Sequence, residues 1–464
     1  MYRKDMHIHF VGVGGIGMSG IAEIVRQRGY TVSGCDTAQN SKILDHLSSI
    51  GCTIYHQHDP SHITNVDVVV YSSMIRPENP EMIAATAKGI PVIARALMLA
   101  ELMRTKYSVA ISGAHGKTTT TSMISHILIE AALDPTIIVG GILKNLSTNA
   151  QFGKGSVLVA EADESDRSFL YLNPTIAVVT NIDNDHLDTY KDLDDIKQTF
   201  KNFLARLPFY GKAIICIDDH NIRSILPLPH VRTIKYGLSL EADVMGKIIA
   251  LNPGTSVFDV YIKTMAADHI CIGRITLNMP GEHNVCNALA AIALSLEYEV
   301  SFEGIQAALA TFKGIERRFE YKGVTQGVEV FDDYGHHPTE VEKTLIVAQK
   351  RAQNKLLVAF QLHRFSRTQK LWHDFVTLFA TQKMDVLLLT DIYPAMEDPI
   401  EGITTQNLVS DIKKQAPNLA VFYCPTYQDV QIKVQELMQS GDLLLTIGAG
   451  QINKVGEELL KKEF

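Results

Sequence analysis

Short β-branched runs and longer amphipathic stretches alternate along the whole chain, the pattern of parallel sheets covered by helices. Three segments repeat it. The first begins with a strand at residues 7–13 and ends with a helical stretch at 95–104; a strand restarts at 107–112, so a boundary falls near 105. The second carries strands near 157–160, 176–180 and 213–217, and a helix at 118–131. Its character changes between 243 and 278, where 256–262 and 269–277 read as antiparallel strands added beside the parallel sheet. Helices at 283–297 and 302–311 follow, then a charged, glycine-containing linker at 312–318. The third segment has strands at 356–360, 385–390, 420–423 and 443–447. The expectation is an α/β chain of three domains, residues 1–105, 106–312 and 313–464, the first and last Rossmann-like.

Composition narrows this picture slightly. A chain of 464 residues suits about three domains. A formal net charge of −8 leaves no basic footprint and argues against nucleic acid as a partner. Apolar runs such as 68–70 and 386–389 are strand length, far short of a membrane span. The basic start at residues 1–4 is followed by a Gly-rich stretch containing His7 and His9, not by the apolar core of a signal peptide. Six scattered cysteines without a Cys-x-x-Cys pair argue against a disulfide framework and against a zinc site, and favour a cytoplasmic protein.

Two glycine-rich loops carry the chemistry. Gly12-Val-Gly-Gly-Ile-Gly17 leaves a strand and opens a helix, so its glycines let the backbone approach a pyrophosphate at the helix start. Asp36 ends the next strand, about where a ribose-binding acid belongs. A tight turn that binds nothing is the alternative, and the motif does not distinguish NAD from a UDP-sugar. Gly113-Ala-His-Gly-Lys-Thr-Thr119 again joins a strand to a helix. Backbone amides, Lys117 and the Thr118 hydroxyl would converge on phosphate and Mg²⁺, although Ile111 stands where a full Walker A pattern has its first glycine. This gives the central domain a P-loop-type ATPase character. Glu161-Ala-Asp-Glu-Ser-Asp166 follows another strand, and Glu161, nearest the strand end, is the metal-ligand candidate. Glu164 and Asp166 read as a solvated acidic turn. Asn181-Ile-Asp-Asn-Asp-His186 ends a third strand and puts His186 on the same rim.

These motifs resemble the Mur ligase family. The resemblance continues through Gly281-Glu-His-Asn-Val-Cys-Asn287, Arg317-Arg318, Asp332-Asp-Tyr-Gly-His-His-Pro338, His363-Arg-Phe-Ser-Arg-Thr368 and Gly448-Ala-Gly450, in family order across all three segments. It implies an ATP-dependent ligase that activates the carboxylate of UDP-N-acetylmuramate as an acyl phosphate. Glu161–Asp166 and Asp183–Tyr190 lean towards the branch that adds L-alanine. Residue by residue, it implies that Gly12, Gly14, Gly15, Gly17, Asp36, Ser72 and Ser73 line the UDP-sugar site. Gly113, Ala114, His115, Gly116, Lys117, Thr118 and Thr119 would cradle ATP, with His283, Asn284, Asn287 and Arg318 on its adenosine side. Thr118, Glu161 and His186 would hold two Mg²⁺ ions, with Mn²⁺ as a substitute, and Lys117, Glu161 and His186 would be the catalytic set. Tyr334, His336, Arg364 and Arg367 would face the amino acid; the two arginines, three apart, would share one side of a helical turn. The sequence leaves the oligomeric state open between a monomer and a homodimer. Ala114, Leu362 and Arg167 depart from the family's usual Thr, Pro and small residue, and the charge of Arg167 near the metal acids has no counterpart in it. A peptide-adding ligase of the same family, an NAD-dependent oxidoreductase and a non-catalytic nucleotide-binding module are the competing readings.

Overall fold

The alternation of strand and helix resolves into three sheets in the computed structural model, which describes residues 5–38, 41–72, 74–144, 148–186, 189–266 and 268–461. The first sheet contains β1 (His7–Val11), β2 (Thr31–Cys35), β3 (Thr53–Tyr55), β4 (Val68–Tyr71) and β5 (Val92–Ala94). All five are parallel, in the order β3-β2-β1-β4-β5. Alternate side chains of a strand face opposite ways. Ile8 and Phe10 therefore pack in one cluster with Met18, Ile21 and Val25 of the helix Ile16–Gln27. Val11, Cys35 and Val69 join a second cluster with Ala85 of the helix Pro80–Ala87 on the other face. The chain changes direction across the sheet beside β1, so the crevice for a ligand opens where β1 and β4 end.

The central sheet contains β6 (Tyr107–Ser112), β7 (Thr136–Leu143), β8 (Thr148–Gln151), β9 (Val157–Glu161), β10 (Ile176–Val179), β11 (Lys212–Cys216), β12 (Arg232–Gly237), β13 (Val244–Leu251), β14 (Ser256–Lys263) and β15 (His269–Leu277). Their order is β15-β14-β13-β12-β11-β10-β6-β9-β7-β8. The antiparallel addition predicted from the sequence is present as β13-β14-β15, and β8 adds an antiparallel edge on the other side. At the centre β6 pairs in parallel with both β9 and β10, so the three polar segments that follow these strands share one rim.

The third sheet contains β16 (Glu320–Thr325), β17 (Val328–Asp333), β18 (Leu356–His363), β19 (Val386–Tyr393), β20 (Ala420–Tyr423) and β21 (Leu443–Ile447), in the order β16-β17-β21-β18-β19-β20. Only β16 runs antiparallel to its neighbour.

The cores are divided unevenly. One apolar cluster runs from Ile8 and Phe10 through the central sheet to Ile315. The close approach shows at Gly20, where a Cβ would stand 3.1 Å from the Ala150 Cβ. The third domain keeps its own clusters on the two faces of its sheet and meets the central domain through polar contacts. Thr339 donates to Asp183 at 2.9 Å, and Lys144 pairs with Glu320 at 2.9 Å. A polar junction of this kind permits relative domain motion.

Candidate active site

The second glycine-rich loop leaves β6 and enters the helix Lys117–Glu130. Gly113 has φ +135°, and a Cβ there would overlap the Thr180 hydroxyl. Gly116 has φ +80° and lies against Asn287, whose Oδ1 would be 2.5 Å from an added Cβ. Only glycine adopts both conformations at such close quarters. The segment after β10 clasps the loop: the His115 amide donates to Asn181 Oδ1 at 2.8 Å, and Thr180 Oγ1 and Asn181 Nδ2 donate to the His115 carbonyl at 2.6 and 2.9 Å. No side chain caps the helix, so its first amides point into the site as an anion cradle. Lys117 Nζ curls back to the Gly113 carbonyl at 2.5 Å and to Glu164 Oε1 at 2.7 Å. Burial opposes its charge, but Glu164 and Asp163 outweigh that and keep it protonated.

The acids differ from the sequence expectation in one respect. Glu164 is 2% exposed and lies against Lys117, so it is no solvated turn residue. His186 Nε2 approaches Glu164 Oε1 at 3.4 Å, while Glu161 accepts from the Gly140 amide at 2.9 Å and from Thr118. The expected grouping of Thr118, Glu161 and His186 thus closes around Lys117 with Glu164 as an additional member. Local sequence shows only the acidic neighbours of Glu164, whereas its partner Lys117 stands 47 positions away. Asp166 is exposed, as anticipated. The charge of Arg167 turns to Asp195, with which it pairs, and lies 4.5 Å over the Tyr190 ring. Tyr190 in turn donates to the Glu164 carbonyl at 2.5 Å, so Arg167 braces this turn.

A cavity of about 450 Å³ opens beside the loop. His115, Gly116 and Thr119 line one end, His283, Asn284 and Asn287 another, and Arg318, Glu340 and Lys343 of the third domain cover it. Its volume suits a nucleoside. Asn284 and Asn287 are tied together at 3.3 Å, and Thr120 donates to Asn287 at 3.2 Å, which holds both amides rigid. Burial, with Lys343 and Arg318 nearby, pushes His283 down to about 3, so the ring is neutral. His115 behaves oppositely. Burial disfavours its charge, but Asp183 at 2.8 Å and Glu340 at 3.5 Å prevail and raise it to about 9.

On the third-domain side, Tyr334 lies under Arg317 and Arg318, 5.0 and 5.6 Å from the guanidinium carbons. Its neighbour His336 is pushed down to about 4 by burial. The two arginines correct an expectation. Arg364 has φ +72° and precedes the helix Phe365–Lys370, so it does not share a helical turn with Arg367. Arg364 Nε binds Glu397 at 2.5 Å, whereas Arg367 Nε lies 3.5 Å from Asp185. Both nonetheless border one depression with His186, of about 20 Å³, room for a single water.

The first glycine-rich loop sits at the crevice between β1 and β4. Gly12 has φ +79° and approaches Ser72, while the Gly14 amide donates to Asp36 Oδ2 at 2.8 Å. Asp36 also accepts from the Ala38 amide at 2.9 Å, so this acid first of all shapes the loop. A Cβ on Gly17 would lie 3.1 Å from Arg95 Nη1; Gly15 has more room. Ser73 lies outside the described residues. Arg95, at the end of β5, also reaches Asp163 Oδ2 at 3.7 Å and so links this loop to the acids of the central domain. The sequence offered no signal for Arg95, because nothing local distinguishes it from a surface cation.

Residues 7–107 match the family described as the Mur ligase family catalytic domain, 111–295 the Mur ligase middle domain, and 317–450 the Mur ligase glutamate ligase domain. The chain belongs to the Mur ligase family. Among curated Mur ligases, UDP-N-acetylmuramate–L-alanine ligase of Geobacter sulfurreducens is 50% identical over 464 residues, covering 100% of this chain and 98% of the relative. The protein of the same name from Geotalea uraniireducens is 49% identical over 462 residues, 100% and 99% of the two chains. Of solved structures, UDP-N-acetylmuramate-alanine ligase of Thermotoga maritima superposes with a TM-score of 0.82 at 25% identity, over 99% of each chain. A murein peptide ligase of Psychrobacter arcticus shares the fold, with a TM-score of 0.72 at 24% identity over 98% of each chain. No described helix is long and apolar enough to cross a membrane.

Proposed function

We propose that this Mur ligase joins L-alanine to the lactyl carboxylate of UDP-N-acetylmuramate, consuming ATP and releasing ADP and phosphate, in peptidoglycan precursor synthesis. The observation that carries this reading is the single rim on which Lys117, Glu161, Glu164 and His186 stand, between a nucleoside-sized cavity and the first-domain loop. The reaction named for the curated relatives supports the same substrates here.

A free carboxylate does not condense with an amine in water, so the lactyl carboxylate first attacks the γ-phosphorus of ATP. An acyl phosphate forms and ADP leaves. The neutral amine of L-alanine then attacks the acyl carbon, and phosphate departs. Lys117, held charged by its acidic neighbours, neutralises the phosphoryl group as it transfers. The uncapped amides of the helix Lys117–Glu130 cradle the phosphates. Gly12, Gly14, Gly15, Gly17, Asp36 and Ser72 hold the UDP-sugar, and Arg95 stands between that loop and the reacting groups.

Thr118, Glu161, Glu164 and His186 would hold two Mg²⁺ ions, for which Mn²⁺ can substitute. The donors fit a hard cation: the set is mainly carboxylate and hydroxyl oxygen, and Glu164 Oε2 is buried without a hydrogen-bond partner. Bound there, the metal supplies positive charge to the phosphoryl oxygens. Arg364 and Arg367 would receive the alanine carboxylate. The depression they border is small, and the polar junction of the third domain with the central one permits the movement that would widen it for the amino acid.

Incubating the protein with ATP, Mg²⁺, UDP-N-acetylmuramate and single amino acids tests the reading. Phosphate release dependent on L-alanine is expected. Release only with a preformed peptide, or none with any acceptor, would overturn it.

A further inference from the structure

Within the first domain, on the face of the sheet away from the helix Ile16–Gln27, three histidines and a cysteine surround one buried carboxylate. Glu81, in the first turn of the helix Pro80–Ala87, is fully buried. Its Oε1 lies 2.6 Å from His62 Nδ1 and 3.4 Å from His9 Nε2. Its Oε2 lies 2.6 Å from Cys35 Sγ and 3.1 Å from His58 Nδ1, and Cys35 Sγ is 3.0 Å from that same nitrogen. The ligand atoms of His9, Cys35 and Glu81 all fall within 4.8 Å of one another. None of these groups belongs to the candidate active site described above.

We propose that His9, Cys35 and Glu81, with His58 as the fourth ligand, form a binding site for a zinc-class divalent cation. The spacing rule that argued against zinc looks for cysteine pairs close in sequence, whereas these four ligands come from β1, the end of β2, the segment before the turn Pro60–His62 and the helix over them.

Four observations converge on this assignment. The donor set of imidazole nitrogen, thiolate sulfur and carboxylate oxygen is the one zinc prefers. One thiolate and one carboxylate neutralise a dication, so the buried site carries no net charge when filled. His9 is fully buried, and its Nε2 makes no well-formed hydrogen bond, standing 3.4 Å from Glu81 Oε1, while Nδ1 sits 2.8 Å from Ser33 Oγ. With Nδ1 donating to Ser33, Nε2 presents its lone pair to the cluster, the outer contact typical of metal-bound histidine. Finally, tetrahedral zinc at ordinary bond lengths sets its ligands about 3.4 to 3.6 Å apart. His9 Nε2 already stands 3.4 Å from Glu81, while the Cys35–Glu81, Cys35–His58 and His58–Glu81 separations of 2.6, 3.0 and 3.1 Å are shorter by less than about 1 Å, as suits a hydrogen-bonded cluster that opens to admit an ion.

Binding is a balanced exchange. Burial and Glu81 hold the Cys35 thiol protonated, so the ion enters by displacing one thiol proton to solvent and shedding its own waters. His58, the most exposed of the four, is the entry side. The site also underlies the first glycine-rich loop, since the Cys35 carbonyl accepts from the Gly12 and Val13 amides at 2.9 and 3.1 Å.

The test uses the full chain, freed of metal by a chelator and titrated with Co²⁺ and then Zn²⁺. A thiolate-to-cobalt absorption band in the near ultraviolet is expected, displaced by one equivalent of Zn²⁺. Cys35→Ser should abolish the band and weaken Zn²⁺ binding by roughly 100-fold, with the circular dichroism spectrum unchanged. The other five cysteines remain in that variant, so a band that persists would belong to one of them and overturn the proposal. His58→Asn, at the partly exposed rim, guards against misfolding and should weaken binding by about tenfold. Absence of a band in the wild-type chain, or equal Zn²⁺ affinity in the wild type and both variants, would equally overturn it.

Discussion

The two glycine-rich loops look alike in the sequence and are built differently. Both leave a parallel strand and open a helix. Around Gly12–Gly17 the partners are few: Asp36 takes the Gly14 amide, and Ser72 and Arg95 stand close to Gly12 and Gly17. Around Gly113–Thr119 the loop is clasped by Thr180 and Asn181 and surrounded by buried charges, with Lys117 against Glu164 and His115 between Asp183 and Glu340. A loop that only binds needs a shaped backbone. A loop that transfers a phosphoryl group needs charges fixed in place before the reaction, because their reorganisation would add to the barrier.

The sharpest way to break this contrast is at Lys117. Lys117→Ala is expected to lower alanine-dependent phosphate release by about 10³-fold, and unchanged turnover would remove the assignment of the second loop. Next comes Glu164→Gln, which should lower kcat by roughly 10²-fold because it disturbs both Lys117 and His186. Asp166→Asn, two residues on and exposed, should leave turnover within about twofold. Equal effects at the two positions would return Glu164 to the solvated turn.

In the first loop, Asp36→Ala removes a charge-assisted hydrogen bond worth about 1.5–3 kcal/mol. The KM for UDP-N-acetylmuramate should rise at least about tenfold while that for ATP stays constant; a parallel rise in both would erase the difference between the loops. The smallest effect concerns pH. The His115 value of about 9 lies above its ordinary 6.5, so its contribution to stability is complete below 6.5 and lost as pH rises through about 9. That contribution is at most about 3 kcal/mol. Asp183 and Glu340 are held below their ordinary values, so their share is present above the usual carboxylate range and lost in acid. Melting temperatures of the ligand-free protein should therefore fall from pH 6.5 to 9, and His115→Asn should flatten that fall.

Much of the fold was legible because its signals are local. The glycines, Lys117 and the strand–helix junctions were all readable in contiguous residues. The antiparallel additions β14 and β15 matched their predicted spans. Other strands escaped: β16 is largely polar and lies at a sheet edge, and β7 is interrupted by Gly140 and Gly141, so neither shows the apolar run of a core strand. In the site, Glu161, His186, His283 and Arg318 were singled out by their place after strands or by motif. The acidic neighbours of Glu164 suggest a solvated turn, but its burial against Lys117 depends on a residue far away in the chain. The spacing of Arg364 and Arg367 predicts one helical turn, but the backbone of Arg364 is left-handed and the helix starts after it.

The sequence by itself determined the three-segment α/β plan, the two glycine-rich strand–helix loops and the family. These depend on backbone conformations that a few adjacent residues impose. The tertiary structure alone decided which acid meets Lys117, which cation bridges the first loop to the central domain, and that Cys35 meets His9 and Glu81. Such encounters depend on strand order and on how helices lie over the sheets. Residues 46 positions apart, as Cys35 and Glu81 are, carry no mark of one another until packing brings them within 2.6 Å.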